Sequence, residues 1–186
     1  TLIISALLVV GVVWLFIGSA RAAAIPSVVI PVSIIGTFAV MYGLGFSLNN
    51  LSVLALIVAT GLVVDDAIVV LENVQRHIQR GLSPLQAAIT GTKEVGFTLL
   101  AMNIALVVVF VSILFMGGLV ERLFREFTLT LTATIVLSLL VSLTLTPSLC
   151  AHWLKDATHH PLKSRFNQNF ARFELGYQRS LSTALR

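Results

Sequence analysis

Five long apolar stretches follow one another along the chain and predict five helices. A helix needs about 20 mostly apolar residues to cross the hydrocarbon core of a bilayer, and these stretches are close to that length. The pattern therefore predicts an all-α membrane protein whose transmembrane region covers residues 1–154. The stretches are residues 2–18, 25–44, 51–71, 95–116 and 127–154.

Prolines, glycines and a serine between the stretches predict where helices begin and end. Pro26 is expected in the first turn of the second helix, whereas Pro31 lies deeper and predicts a kink or a later start. The third helix is expected to continue beyond its apolar part and to end at Gly81. Ser83 and Pro84 predict the start of a short amphipathic helix, with the serine as its N-cap.

The fifth stretch is unusually rich in threonine and serine and contains Pro147 near its end. It follows Gly117 and Gly118, which predict a turn. Hydroxyl side chains in membrane helices bond to their own helix or to a neighbouring one. We therefore expect this helix to pack against protein.

Residues 155–186 have a different pattern, which predicts a cytoplasmic linker followed by an amphipathic helix. Apolar residues recur three and four apart, and arginines recur seven apart on the opposite side. Such a helix is suited to lie on an anionic leaflet as an interfacial helix; the alternative is a soluble helix docked on another domain. The apolar set is Phe166, Phe170, Phe173, Tyr177 and Leu181, and the basic set is Arg165, Arg172, Arg179 and Arg186.

Composition and charge agree with a membrane protein of defined orientation. The chain is 57% hydrophobic and 11% charged, whereas a soluble domain carries about 25% charged residues. With five spans, one side receives every lysine and arginine except Arg122 and Arg125. By the positive-inside rule, the tail is cytoplasmic and the first helix starts on the other side. The apolar start of the chain lacks the features of a signal peptide. The chain is therefore expected to be a piece of a longer protein.

Two adjacent aspartates, Asp65 and Asp66, interrupt the third apolar stretch. A carboxylate at the centre of a membrane helix costs about 2.5–3.5 kcal/mol to insert, so a pair is expected only where it works in a protein interior. Neighbours on a helix differ by about 100°, so these side chains can flank one seam and reach different helices. The pair is therefore predicted to coordinate an ion or to relay protons.

The protonation of such a pair depends on its surroundings. Two carboxylates held close in a low dielectric resist double ionisation, so an approaching basic group favours the charged pair and its withdrawal favours proton uptake. No lysine or arginine occurs inside any of the five apolar stretches. The counter-charge must then come from a part of the protein outside this chain.

Surface snorkelling and intramembrane proteolysis are two weaker interpretations of the pair. The aspartates could snorkel to the cytoplasmic surface, because Glu72 follows Asp66 by roughly 9 Å of helix rise. Aspartate is short, however, and snorkelling mainly serves lysine and arginine. Intramembrane aspartyl proteolysis also uses two carboxylates, but these usually face each other from two helices, and the chain has no G-x-G-D pattern.

Four more residues of the third helix are candidates for supporting the pair. Gly61 lies about one turn before it and permits close approach of another helix. Thr60 offers a hydroxyl, although a helix threonine more often bonds back to its own backbone. Glu72 and Asn73 lie at the cytoplasmic end, where they would gate proton exit or, as we favour, serve a structural role.

Nothing in the sequence indicates an enzyme, a cofactor site or nucleic-acid binding. The four histidines fall in cytoplasmic or interfacial positions, so no metal site is expected. No Walker-type G-x-x-x-x-G-K-[ST] is present, and Gly117-Gly118 is more simply a turn than a phosphate cradle. The single cysteine, Cys150, excludes an internal disulfide.

Residues 61–74 read GLVVDDAIVVLENV and closely resemble the aspartate-bearing helix of resistance-nodulation-division (RND) transporters. The similarity is to the hydrophobe/amphiphile efflux pumps of Gram-negative bacteria. It extends over residues 30–61 and 115–154 and is weakest after Asp156. Heavy-metal exporters of the same superfamily tend to carry D-A-A where this chain has Asp65-Asp66-Ala67, so the double aspartate favours the drug-type branch.

The resemblance implies twelve membrane helices in two similar halves, each with a large periplasmic loop after its first helix. This chain would hold the second to sixth helices of the first half and the interfacial helix that joins the halves, without the porter domains or the second half. Asp65 and Asp66 would take up the proton. Their lysine, arginine and threonine partners would lie in the second half.

The implied function is proton-coupled antiport of drugs or other amphiphiles from the bacterial inner membrane across the Gram-negative envelope. The implied partners are membrane lipids, the second half of the transporter, further protomers of a trimer, a periplasmic adaptor and an outer-membrane channel. Alternatives are an exporter of lipids, siderophores or metal ions of the same superfamily, or a non-coupling accessory subunit of a heteromeric pump. Substrate selection in this family lies in the porter domain, so these residues name no substrate.

Overall fold

A computed structural model describes residues 2–17 and 20–154 and shows five α-helices in this part of the chain. No strand occurs among the described residues, which confirms the all-α prediction. The division at residue 154 and the interfacial helix stay predictions, because residues 155–186 lie outside the described part. The helices are α1 (Leu2–Ile17), α2 (Ala20–Gly43), α3 (Asn50–Gln79), α4 (Pro84–Ser112) and α5 (Gly118–Trp153), with a 3₁₀ turn at Ile113–Phe115.

Four of these helices, α2 to α5, are long and apolar enough to cross a membrane. The 16 residues of α1 would extend about 24 Å at 1.5 Å per residue, which is less than the roughly 30 Å of a hydrocarbon core. A membrane crossing by α1 therefore stays a prediction.

The second and fifth helices begin earlier than their apolar stretches predicted. Because α2 begins at Ala20, Pro26 lies well inside it, and the expectation that it lies in the first turn is wrong. Alanine is the strongest helix former, and the alanine-rich segment before Pro26 explains the early start. Similarly, α5 begins at Gly118, because the Leu, Glu and Arg residues that follow favour helix although they are polar in part.

The short helix predicted after Ser83 does not end before the fourth apolar stretch. Both belong to one helix, α4, because no proline or turn signal separates them. The predicted cap is confirmed, since the Ser83 hydroxyl accepts from the backbone N–H of Gln86 at 3.5 Å and Pro84 is the first helical residue. The turn after α4 is also confirmed, with Gly117 and Gly118 at φ +69° and +66°, values that suit glycine.

The long central helix α3 contacts all four other helices, and its largest interface is with α5. Its start is fixed by a capping box, in which the Asn49 side chain accepts from the N–H groups of Leu51 and Ser52 and the Ser52 hydroxyl accepts from the Asn49 N–H. The Asn49 amide also donates to Glu126 of α5. This last bond joins the start of α3 to α5 at the end of the bundle that is predicted to be extracytoplasmic.

At the opposite end, α3 and α4 approach very closely. A Cβ atom added to Gly91 would lie 3.1 Å from the Val74 backbone nitrogen, so any other residue would push the two helix backbones apart by a few tenths of an ångström. The core beside this crossing is apolar and includes Ile25, Leu71 and Leu99, all at most 1% exposed.

Hydroxyl side chains of α5 recur every fourth residue on its buried face. This confirms that α5 packs against protein, because the whole row is at most 1% exposed. One of its members, Thr134, lies 3.1 Å from the Thr37 hydroxyl of α2. The row consists of Thr130, Thr134, Ser138, Ser142 and Thr146.

Candidate functional site

Asp66 is buried where α3 meets α4 and α5, with 6% of its surface exposed. The Asn103 amide nitrogen of α4 donates to both carboxylate oxygens, at 3.1 Å to Oδ1 and 3.3 Å to Oδ2. The Ser138 hydroxyl of α5 lies 3.1 Å from Oδ2. The carboxylate is therefore held by neutral side chains from two helices, which are its hydrogen-bond partners among the described residues.

The orientation of Asn103 follows from its surroundings. Its amide nitrogen also donates to the backbone carbonyl of Leu99 at 2.9 Å. A flipped side chain would point its amide oxygen at that carbonyl and at the carboxylate, and none of these three groups can donate when Asp66 is ionised. The network therefore fixes the amide nitrogen toward Asp66.

Asp65 lies on a different face of α3 and is exposed in the described part of the chain. The sequence predicted that both aspartates would flank a buried seam, but within the described residues only Asp66 does so. Asp65 belongs to a row of exposed positions at helical spacing, which we call the open face of α3. The open face consists of Leu54, Val58, Gly61, Asp65, Glu72 and Arg76.

The two other candidates near the aspartates have different surroundings. The Thr60 hydroxyl is buried and donates to the Leu56 carbonyl of its own helix at 2.7 Å, so it does not contact Asp66 through a hydrogen bond. Gly61 lies on the open face, and a Cβ atom there would meet nothing within 4 Å. A close helix approach at Gly61 stays a prediction that concerns parts of the protein outside the described residues.

The predicted cytoplasmic end of α3 carries a second polar cluster. Asn73 donates to the Gly91 carbonyl at 2.8 Å and to Glu94 Oε2 at 3.1 Å, which supports the structural role favoured for it. His77 Nε2 lies 2.9 Å from the same Glu94 oxygen. This cluster joins α3 to α4 beside the Gly91 crossing, whereas Glu72 lies on the open face.

No lysine or arginine of the described residues forms an ion pair with either aspartate. Among the side chains that the structure describes, the one contact within salt-bridge distance of a carboxylate is that of His77 with Glu94. This agrees with the absence of basic residues from the apolar stretches. A positive partner for the aspartates would have to come from elsewhere in the protein.

Sequence reasoning missed both side chains that hold Asp66. Asn103 had a usable signal, because a lone amide in the apolar segment LLAMNIALVVV is costly unless it is hydrogen-bonded. Ser138 had none of its own, since it is one of many hydroxyl residues in α5. Its contact with Asp66 depends on the register between α3 and α5.

Comparison with known proteins gives a consistent result. The model of the AcrB/AcrD/AcrF family matches residues 1–186. Three similar curated proteins are each called multidrug resistance protein MdtC. The chain is 56% identical to that of Pectobacterium carotovorum over 187 residues, 57% identical to that of Escherichia coli O139:H28 over 187 residues, and 56% identical to that of Klebsiella pneumoniae strain 342 over 188 residues.

Each of these alignments covers all of this chain but only 18% of the relative. The chain thus spans less than a fifth of the length of the curated relatives that it matches. The matches confirm the resemblance to RND multidrug transporters that the motifs around Asp65 and Asp66 indicated. Together with the helices long enough to cross a membrane, they identify a multi-pass membrane protein.

Proposed function

The chain belongs to the AcrB/AcrD/AcrF family, and we propose that it carries the proton-binding site of an exporter that exchanges protons for drugs or other amphiphiles. The observation that supports this most is the placement of two adjacent carboxylates of α3. Asp66 is buried among neutral donors of α4 and α5, whereas Asp65 lies beside it on the open face. Ionisable groups inside membrane segments most often mark ion or proton pathways.

The partners of Asp66 suit a group that changes protonation. The Asn103 amide nitrogen can only donate, so it stabilises the ionised carboxylate. The Ser138 hydroxyl can donate or accept, so it can donate to the ionised Oδ2 and accept from that oxygen once it is protonated. Both carboxyl oxygens of Asp66 therefore keep a hydrogen-bond partner when Oδ2 takes up a proton. A buried oxygen without a partner would cost about 1–3 kcal/mol.

Asp65 is placed to meet the rest of the transporter. In RND transporters the lysine, arginine and threonine partners of the aspartates lie in the second half, which this chain does not contain. We propose that the second half covers the open face of α3 and brings a positive charge to Asp65. Approach of that charge would favour the ionised pair, and its withdrawal would favour proton uptake.

The free energy for export would come from protons that enter the cell. A membrane potential contributes about 2.3 kcal/mol per elementary charge per 100 mV. A pH difference adds about 1.4 kcal/mol per unit. We expect both to act on the complete transporter in the bacterial inner membrane.

The name shared by the relatives, multidrug resistance protein, favours drugs over lipids, siderophores or metal ions as the substrates. The family further suggests a trimer that works with a periplasmic adaptor and an outer-membrane channel. Within this proposal the chain belongs to a transporter and has no catalytic role of its own.

The test uses the complete transporter in proteoliposomes, where an imposed inward proton gradient should drive export. Asp65→Asn and Asp66→Asn should each abolish this transport, because asparagine keeps the shape of the side chain but removes the titratable oxygen. Glu121→Gln is the matched control, since Glu121 is a carboxylate in the first turn of α5, away from the pair. It should transport normally.

Three results would contradict the proposal. Transport that requires a sodium gradient and ignores a proton gradient would make the aspartates cation ligands. Wild-type transport by both asparagine variants would exclude a relay at this site. If Glu121→Gln lost as much transport as the two asparagine variants, the loss would not be specific to the aspartate pair.

A further inference from the structure

A groove of about 370 Å³ lies between the first half of α4 and the last half of α5. It is separate from the carboxylate site and is at the end of the bundle predicted to face the cytoplasm. Its walls are mostly apolar, and two basic side chains stand among them. The residues that matter here are Leu85, Ile89, Lys93, Leu143, Pro147 and His152.

The basic side chains of this groove are accessible. Lys93 and His152 are both exposed, and within residues 2–17 and 20–154 neither forms an ion pair. The groove therefore offers two accessible basic side chains beside apolar walls.

One ring nitrogen of His152 is held by its own helix. Its Nδ1 lies 2.8 Å from the Ser148 carbonyl oxygen, which can only accept, so Nδ1 carries a hydrogen. Nε2 has no hydrogen-bond partner among the described residues.

Within the described residues, the surface of α4 and α5 that continues from the groove toward the predicted membrane interior is apolar and uncovered. Only 11% of the most apolar 18-residue segment of α4 is buried, against 50% for α3. Phe97 is 80% exposed, and Leu140 of α5 is 55% exposed. Acyl chains could lie along this surface, directly next to the basic end of the groove.

We propose that this groove binds an anionic phospholipid of the cytoplasmic leaflet. The phosphate contacts Lys93 and His152, and the acyl chains run along the exposed surface of α4 and α5. Charge complementarity favours this occupant, because the cytoplasmic leaflet is negatively charged. The apolar walls favour a lipid over a free phosphate ion.

The experiment uses the complete transporter, purified in mild detergent and incubated with phosphatidylglycerol or phosphatidylethanolamine, with bound lipid counted by native mass spectrometry. The transporter should retain phosphatidylglycerol in preference to phosphatidylethanolamine. Lys93→Gln should weaken this retention about fivefold, which is the contribution of one basic residue near an anionic surface. His152→Gln should also weaken retention, because it removes the second basic side chain of the groove, and Lys93→Arg should retain the lipid.

Arg80→Gln is the control, because Arg80 is an exposed basic residue at the end of α3, outside the groove. Its retention of phosphatidylglycerol should equal that of the wild type. The proposal is overturned if Lys93→Gln and Arg80→Gln behave alike, or if free inorganic phosphate competes as well as the lipid does. It is also overturned if a photoreactive residue at Thr144 cross-links to residues 155–186 and not to lipid, since the chain itself would then fill the groove.

Discussion

The covered and open faces of α3 place two neighbouring carboxylates in opposite surroundings. On the covered face, Asp66 is 6% exposed and receives hydrogen bonds from α4 and α5. On the open face, Asp65 is exposed and has no hydrogen-bond partner among the described residues. A rotation of about 100° around the helix axis thus separates a carboxylate that the bundle holds from one that is left for another part of the protein.

This difference has a physical reason. Burying two carboxylates against the same few neutral donors would bring two like charges into one low-dielectric site, where they resist double ionisation. The bundle supplies donors for one of them. The other, Asp65, lies on the open face, where we propose that a charge from another part of the protein approaches it.

The prediction with the largest expected effect concerns what covers the open face. A photoreactive amino acid at Val58, which is 41% exposed on that face, should cross-link to the second half of the complete transporter. The same residue at Ile104 of α4, which is 54% exposed, should cross-link to lipid, because α4 is the least covered of the four long helices. Analysis of the products by mass spectrometry distinguishes the two.

If Val58 cross-linked only to lipid, the open face would not be a protein interface. Asp65 would then have no route to a counter-charge, and the proposed coupling of the two halves through α3 would fail.

A second prediction concerns the packing that defines the covered face. Gly91→Val places a Cβ about 3 Å from backbone atoms of α3, so α3 and α4 must separate, at a cost of about 1–3 kcal/mol. Gly96→Ala is the control, since its Cβ would lie 3.9 Å from a Leu143 methyl group, an ordinary contact. Thermal unfolding of the complete transporter in detergent should show a clearly lower unfolding temperature for Gly91→Val. The unfolding temperature of Gly96→Ala should be almost that of the wild type. Equal stability would mean that the two helices do not cross at Gly91.

The sequence predicted the helices better than the site. Apolar stretches and turn residues located all five helices, and the Ser83-Pro84 cap and the Gly117-Gly118 turn were also correct. The starts of helices were missed where polar residues with a high helix propensity precede the apolar part. An example is the segment between Gly118 and Phe127, which begins α5. A hydropathy pattern marks the apolar part of a helix and not the whole helix.

The sequence singled out the two aspartates but did not predict their placement, and their chemistry stays a prediction. Their adjacency in a membrane helix identified them, and helix geometry predicted that they would reach different neighbours. Which aspartate is buried, and which side chains surround it, depends on the rotation of α3 against α4 and α5. That rotation is set by contacts such as the Gly91–Val74 crossing, which no local pattern reveals.

A third prediction measures how tightly the covered face holds its carboxylate. In a double-mutant cycle on the complete transporter, Asp66→Asn and Asn103→Ala should be coupled by about 1–2 kcal/mol, since each removes the same charge-assisted hydrogen bond. The cycle of Asp65→Asn with Asn103→Ala should show little coupling, because Asp65 makes no hydrogen bond to Asn103 among the described residues. Unfolding midpoints of the single and double variants give both values. Equal coupling in the two cycles would remove the distinction between the aspartates.

The smallest expected effect separates two buried hydroxyls, that of Thr60 on the covered face of α3 and that of Ser138 on α5, which packs against this face. The Thr60 hydroxyl donates to the Leu56 carbonyl one turn earlier, and that carbonyl lies inside a continuous helix, where it also accepts from the backbone N–H four residues on. Thr60→Val keeps the shape and leaves no group of the helix unpaired, so the transport rate should change by about twofold at most, which corresponds to less than about 0.5 kcal/mol. Ser138→Ala removes a donor of Asp66 Oδ2 and should slow proton-driven transport more. If Thr60→Val were the more damaging change, the proton site would extend along α3 toward Thr60, and the junction of α3, α4 and α5 would not be its centre.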